Sequence, residues 1–372
     1  MKRKLSKFLA GVTFLAIAGG TAIGQGAPAE PSFELDGSVR LPAFTLPLSP
    51  YISGEAVALQ KSLHERVAPR PAPPPAPPGV DRIAVMRRGA EMVFAPRAAE
   101  MLRRYPADVT EQRIGGVRVK VITPRVDKLD DTRVLINVHG GGFNTCAEAC
   151  SLMESLPIAF LAGMKAISID YRMAPEHVFP AASQDVEAVY RELLKTYKPT
   201  AIGMYGCSAG GALSAQSAAW LPAKGLPQFG AVGIFGSGAI RIEGGDSVHF
   251  ARYADGLWRA PRFIRPPGST LPPASPPIRS YFEGVSSSDP MVSPAVDQAV
   301  LGKFPPALII TGTRAADMSP AVVTHSRLLE AGVKSQLIVG EGMGHCYIYE
   351  AQLAESQFAY RQIAKFFRDN LR

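Results

Sequence analysis

Gly206-Cys207-Ser208-Ala209-Gly210 fits the pattern G-x-S-x-G. An apolar run, Ala201-Ile202-Gly203-Met204-Tyr205, precedes it, and a run of small residues from Gly211 to Trp220 follows. The first predicts a strand and the second a helix. A serine on a sharp strand-to-helix turn stands clear of the backbone, and small flanking residues let the chain bend that tightly. Serine is a poor nucleophile at neutral pH. It needs a base, an acid to orient that base, and donors for a developing oxyanion.

The donors are placed first. His139-Gly140-Gly141-Gly142-Phe143 follows the strand-like run Arg133 to His139 directly. Three glycines let backbone N–H groups turn toward a bound oxygen. Gly141 and Gly142 are the candidate donors from this loop, and Ala209 is the candidate donor from the residue after the serine. A phosphate-binding loop is the competing reading, but neither G-x-x-x-x-G-K-[ST] nor G-x-G-x-x-G occurs. Of the six histidines, His345 alone sits just past a C-terminal strand, in Gly340-Glu341-Gly342-Met343-Gly344-His345, and is the candidate base. The acid should follow the strand Ala307 to Thr311. Asp317 is the one carboxylate in the loop Gly312-Thr313-Arg314-Ala315-Ala316-Asp317-Met318.

Strands are expected at Val109 to Ile114 and Val117 to Ile122, a hairpin around Gly115-Gly116. Further strands are expected at 133–139, 166–171, 201–205, 231–235, 307–311 and 335–339. Helices are expected between them: Ser151 to Ala162, Ala181 to Tyr197, the run after Ser208, a segment with Ser319 as cap and Pro320 at its first position, and Ala351 to Asp369. The fold class is therefore α/β: an eight-stranded, mostly parallel sheet with helices on both faces. The stretch from Gly238 to Tyr281 breaks the alternation and is crowded with prolines. It leaves from the strand after the elbow, and is read as part of a helical cap over the serine.

The N-terminus reads as a signal peptide, residues 1–24. Lys2, Arg3, Lys4 and Lys7 form a positive n-region, Phe8 to Ile23 an apolar core, and Ala22-Ile23-Gly24 a cleavage site. This implies a periplasmic or secreted protein with no stable membrane anchor after cleavage; an uncleaved anchor is the alternative. Residues 25–79 form a proline-rich segment in which Tyr51 to Val67 is a short helix, and the folded domain runs from 80 to 372. Four of the eight net positive charges lie in the n-region and the remaining basic residues are scattered, so no nucleic-acid partner is expected. Cysteines fall at 146, 150, 207 and 346, a spacing that is not a metal pattern. Cys146 and Cys150 form a local bridge if their segment is not regular helix. Buried free thiols are expected at Cys207 and Cys346, with a bridge between them as the alternative.

From Val80 to Arg372 the sequence resembles the hormone-sensitive-lipase-like esterases, the bacterial family IV lipolytic enzymes of the α/β-hydrolase fold. The resemblance rests on His139 to Phe143, on Asp170-Tyr171-Arg172-Met173-Ala174-Pro175-Glu176-His177-Val178-Phe179-Pro180-Ala181, on Gly206 to Gly211, on Asp289-Pro290-Met291-Val292-Ser293-Pro294, and on a histidine after the last strand. It implies hydrolysis of short- to medium-chain carboxylic esters through an acyl-enzyme, with a small-molecule ester as partner and no metal or other cofactor. It also implies a cap built from an N-terminal helical segment and the insertion at 238–281, with Asp170, Arg172, Glu176 and Asp289 as scaffold. Monomer and homodimer stay open. The sequence departs from that family at Cys207, where Asp is usual, and at Ala315, where the acid is usual. Asp317 must then reach His345 by a different loop path. An amidase or carbamate hydrolase, or a non-catalytic small-molecule binder on the same fold, are the alternatives.

Overall fold

The computed structural model describes residues 30–67, 70–71, 79–255, 263–264 and 278–372. The expected signal peptide, nearly all of the proline run and the centre of the insertion lie outside them. The chain divides into two compact units, one up to Pro47 and one from Leu48 to Arg372. In the first, Ser32–Phe33 pairs antiparallel with Val39–Arg40. The second contains the sheet and helices below.

Eight strands form one sheet: β1 (Ala107–Ile114), β2 (Val117–Pro124), β3 (Asp130–Val138), β4 (Met164–Ile169), β5 (Ile202–Cys207), β6 (Ala231–Phe235), β7 (Ala307–Gly312) and β8 (Ser335–Gly340). Their order is β8-β7-β6-β5-β3-β4-β2-β1. β2 is antiparallel to both neighbours and every other pairing is parallel, so β1, at the edge, runs with the majority. The helices are α1 (Gly54–Val67), α2 (Arg82–Arg104), α3 (Ala149–Ala162), α4 (Ala181–Leu193), α5 (Ala209–Ala223), α6 (Asp246–Ala254), the single-turn α7 (Gln298–Leu301), α8 (Met318–Glu330) and α9 (Ala354–Asn370).

The sheet has a core on each face, because successive strand residues point to opposite sides. Leu135, Tyr205, Cys207, Leu308 and Ile310 pack with α2, α3 and α9. Their neighbours Val134, Ile136, Met204, Ala307 and Ile309 pack with α4, α5 and α8. Burial on both faces is why the central strands read as continuous apolar runs. α5 lies close behind β3 and β6. A Cβ on Gly210 would fall 1.8 Å from the Val138 carbonyl oxygen, and one on Gly211 2.4 Å from that of Phe235. The glycines of the elbow are there for this approach.

Most boundaries shift by a few residues from expectation, and three of the shifts bear on the site. β4 ends at Ile169, so Asp170 and Tyr171 leave the sheet. α4 ends at Leu193, because its last turn closes on Thr196 and Tyr197 through the Leu193 carbonyl. α8 starts at Met318, which puts Ser319 and Pro320 inside its first turn. The residue before it is Asp317, whose side chain makes no capping bond because it is engaged elsewhere. α1 belongs to the second unit: Ser53 binds Glu355 through amide and hydroxyl, and Gln60 donates to the Gly342 carbonyl.

Candidate active site

Ser208 stands between β5 and α5 at φ 59°, ψ −121°, a conformation few side chains adopt. Its amide donates to the Phe235 carbonyl, which holds the turn against β6. Strain of this kind persists only where surrounding structure over-determines it. The steric fit of Gly210 against β3 supplies that here.

A cavity of about 290 Å³ opens at this turn. Ser208, His345, Gly141 and Gly142 line it, with Phe94 and Arg97 from α2, Asn144, Thr145, Tyr349, Glu350 and three of the cysteines. The structure thus brings the candidate nucleophile, the candidate base and the candidate glycine-loop donors to one space. Ala209 lies immediately behind, as the first residue of α5. Among the described residues, the amides of Gly141, Gly142 and Ala209 donate to no protein acceptor. Gly141 and Gly142 hold φ values of 111° and 64°. The turn is closed by Asn144 and Thr145, whose amides both donate to the Gly141 carbonyl. His139 shapes the loop from below. It is fully buried, stacks on Tyr171 with ring centroids 4.4 Å apart, and donates from Nδ1 to the Gly140 carbonyl.

His345 Nδ1 lies 2.5 Å from Asp317 Oδ1. Asp317 is fully buried, and its other oxygen accepts from the Thr311 hydroxyl at 2.6 Å. The path around the missing acid is now visible. The chain turns at Gly312–Ala315, the Ala315 side chain packs inward, and Asp317 stands just before α8. The acid and histidine loops are laced together: Arg314 N donates to the Met343 carbonyl and Gly342 N to the Thr313 hydroxyl. Burial pushes the His345 pKa down, but the Asp317 charge and hydrogen bond, and the Asp255 charge, outweigh it and hold it above the ordinary 6.5.

The expected free thiols at Cys207 and Cys346 are corrected. These cysteines form a disulfide with Cα atoms 6.2 Å apart and a sequence separation of 139. It joins the residue before the serine to the residue after the histidine. Gly236 leaves the room: a Cβ there would fall 2.7 Å from the Cys346 sulfur and 2.9 Å from that of Cys207. Cys146 and Cys150 are also bridged. Cys146 adopts φ 68° just before α3, so the segment is not regular helix.

The resemblance-derived scaffold residues act nearby. Glu176 pairs with Arg87, which donates to the Asn144 and Ala174 carbonyls and so ties α2 to the glycine loop. Arg172 pairs with Asp185, and Asp170 with Arg118. Asp289 accepts from the Met291 amide in its own turn. Two residues escaped the sequence reading. Asp255, at the end of α6, accepts from the His345 amide at 2.7 Å. It belongs to the insertion, where no periodic pattern marked it. Glu154 lies under the site on α3. A lone carboxylate between Met153 and Leu156 in an apolar run was the available signal. No cluster of potential metal ligands occurs among the described residues.

The comparisons with known proteins agree with this architecture. An esterase of Acinetobacter venetianus is 25% identical over 302 residues, 76% of this chain and 92% of that protein. A crystal structure of an esterase covers 90% of this chain and 99% of its own at 26% identity, with a TM-score of 0.74. A second, of EstE5 soaked with p-nitrophenyl butyrate, covers 85% of this chain and 98% of its own at 25% identity, with a TM-score of 0.67. The family described as alpha/beta hydrolase fold matches residues 135–349, from β3 through the histidine loop, and the chain belongs to that family.

Proposed function

We propose that the chain is an exported serine carboxylesterase acting on short- to medium-chain esters. One observation carries the reading: Ser208, His345 and two unpaired glycine amides share a single cavity, with Asp317 on the far side of His345. Ser208 Oγ attacks the ester carbonyl while His345 Nε2 takes its proton. Asp317 accepts from Nδ1–H, fixes the tautomer and stabilises the imidazolium. Gly141, Gly142 and Ala209 donate to the oxyanion. The intermediate expels the alcohol, protonated by His345, and leaves an acyl-Ser208. Water, deprotonated by His345, then releases the acid.

A cavity of 290 Å³ suits a small acyl and alcohol pair. The esterase relatives support ester over amide or carbamate substrates. The binder alternative rested on Ala315, and the Asp317–His345 contact speaks against it. Two disulfides support an oxidising compartment.

Ser208→Ala should abolish p-nitrophenyl butyrate turnover, and a fluorophosphonate should label the wild type at Ser208. Retained turnover would sink the assignment. Across acetate, butyrate, hexanoate and decanoate esters, kcat/KM should peak at butyrate or hexanoate, and a maximum at decanoate would overturn the substrate class. Export is tested by sequencing the mature N-terminus from periplasm or medium. It should begin near Gln25, and an intact Met1 would refute cleavage.

A further inference from the structure

Glu154 sits on α3 at 1% exposure, surrounded by the apolar core between α3 and the sheet. A carboxylate there is costly unless its oxygens are matched. Among the described residues it has no cationic partner. It has four donors instead. Oε1 accepts from the Gly140 amide at 2.8 Å and the Tyr349 hydroxyl at 2.6 Å. Oε2 accepts from Asn137 Nδ2 at 2.9 Å and the Cys207 amide at 3.1 Å. Asn137 is itself held by the Ser168 hydroxyl of β4.

The donors belong to different parts of the site. Gly140 precedes the two glycines of the oxyanion loop. Cys207 precedes Ser208. Tyr349 follows His345 by four residues and lines the cavity. Apolar packing could fill the same volume, but it is undirected and would not fix the separation of three loops. Four directed bonds to one rigid group do. Burial pushes the Glu154 pKa up to about 7, while the four donors act to lower it. An ionised carboxylate offers acceptors alone, which is what four converging donors require.

We propose that Glu154 is the positioning residue of this site, setting the oxyanion loop, the elbow and the histidine segment at their reacting distances through one buried carboxylate. It does not line the cavity, so it acts through the loops and not on substrate. The inference rests on the reading of Ser208 and His345 as the reacting pair.

The test is Glu154→Gln. The amide keeps the shape but turns one oxygen into a donor that faces two other donors. With folding checked by melting temperature and near-ultraviolet circular dichroism, kcat for p-nitrophenyl butyrate should fall about thirtyfold while KM stays within about twofold. The inhibition constant of a trifluoromethyl ketone, which forms a tetrahedral adduct at the serine, should rise by a similar factor. A merely structural role would lower the melting temperature and leave both kcat and the inhibition constant near wild type, and that result overturns the proposal. A loss confined to KM overturns it as well. If Glu154→Gln does not fold, Tyr349→Phe removes one of the four donors. It should lower kcat about fivefold and weaken the ketone in parallel, and unchanged values overturn the proposal. Ser208→Ala in the same assay separates the two readings: activity surviving there defeats the reacting pair, whereas its loss leaves Glu154 alone under test.

Discussion

Asp317 reaches His345 from two residues beyond the position where the resembling esterases carry their acid. The sequence pointed to Asp317 because the loop holds no other carboxylate. It did not reveal the route, which depends on the turn that buries Ala315 and on Thr311 receiving the second oxygen. Both contacts cross from strand to helix and have no local signature. Asp317→Asn should keep the fold, since an amide can still accept from Thr311. It should favour the wrong imidazole tautomer and cost about a hundred- to ten-thousandfold in kcat/KM for p-nitrophenyl butyrate. A loss under threefold would remove Asp317 from the mechanism. The pH profile follows from the same contact. His345 must be neutral to accept a proton, and Asp317 and Asp255 raise its pKa above 6.5. Activity should therefore fall as pH drops through a value above 6.5, and a midpoint at or below 6.5 in kcat/KM against pH would contradict that electrostatic picture.

Strands and helices were legible wherever one period dominated. β3, β5, β6 and β7 are apolar runs because both faces are covered, and α5 announced itself through small residues that must pass close to the sheet. The cross-connections were not legible. Cys207 ends β5 and Cys346 follows β8, strands that are three places apart in the sheet, so no spacing rule joins them. The histidine loop has to swing back over β6 before the sulfurs meet, and Gly236 is the residue that lets it. Closing a loop of this length restricts the unfolded chain by about 5 kcal/mol in the chain-entropy picture. The double variant Cys207→Ser, Cys346→Ser should melt well below the wild type and lose kcat more than KM, because the bridge spans nucleophile and base. Melting temperature and steady-state kinetics measure this, and a variant matching wild type in both would make the bridge dispensable.

At the scale of the whole molecule, the alternation of elements was enough to give the doubly wound sheet and the order of the reacting groups. The role of the N-terminal helices was less visible. α1 lies within a proline-rich segment that carries no site motif, yet Gln60 touches both the histidine loop, at the Gly342 carbonyl, and the acid loop, at Arg314. α2 supplies Phe94 and Arg97 to the cavity. The bonds of α1 and of Ser53 just before it reach partners 254 to 302 residues away in the sequence, and those of α2 run from Asn144, 57 residues on, to Glu350, 253 residues on, beyond any local pattern. Tertiary distance of this kind also gives the Cys207–Cys346 bridge a topological meaning. It turns residues 207–346 into a covalent ring that holds Ser208, Asp317 and His345 together. The exposed Arg279 lies on that ring. Hydrolysis there would divide the chain between the serine and its two partners, yet the halves would remain one molecule. The catalytic set would come apart only when the ring is both cut and reduced, so neither a protease nor a reductant alone separates it.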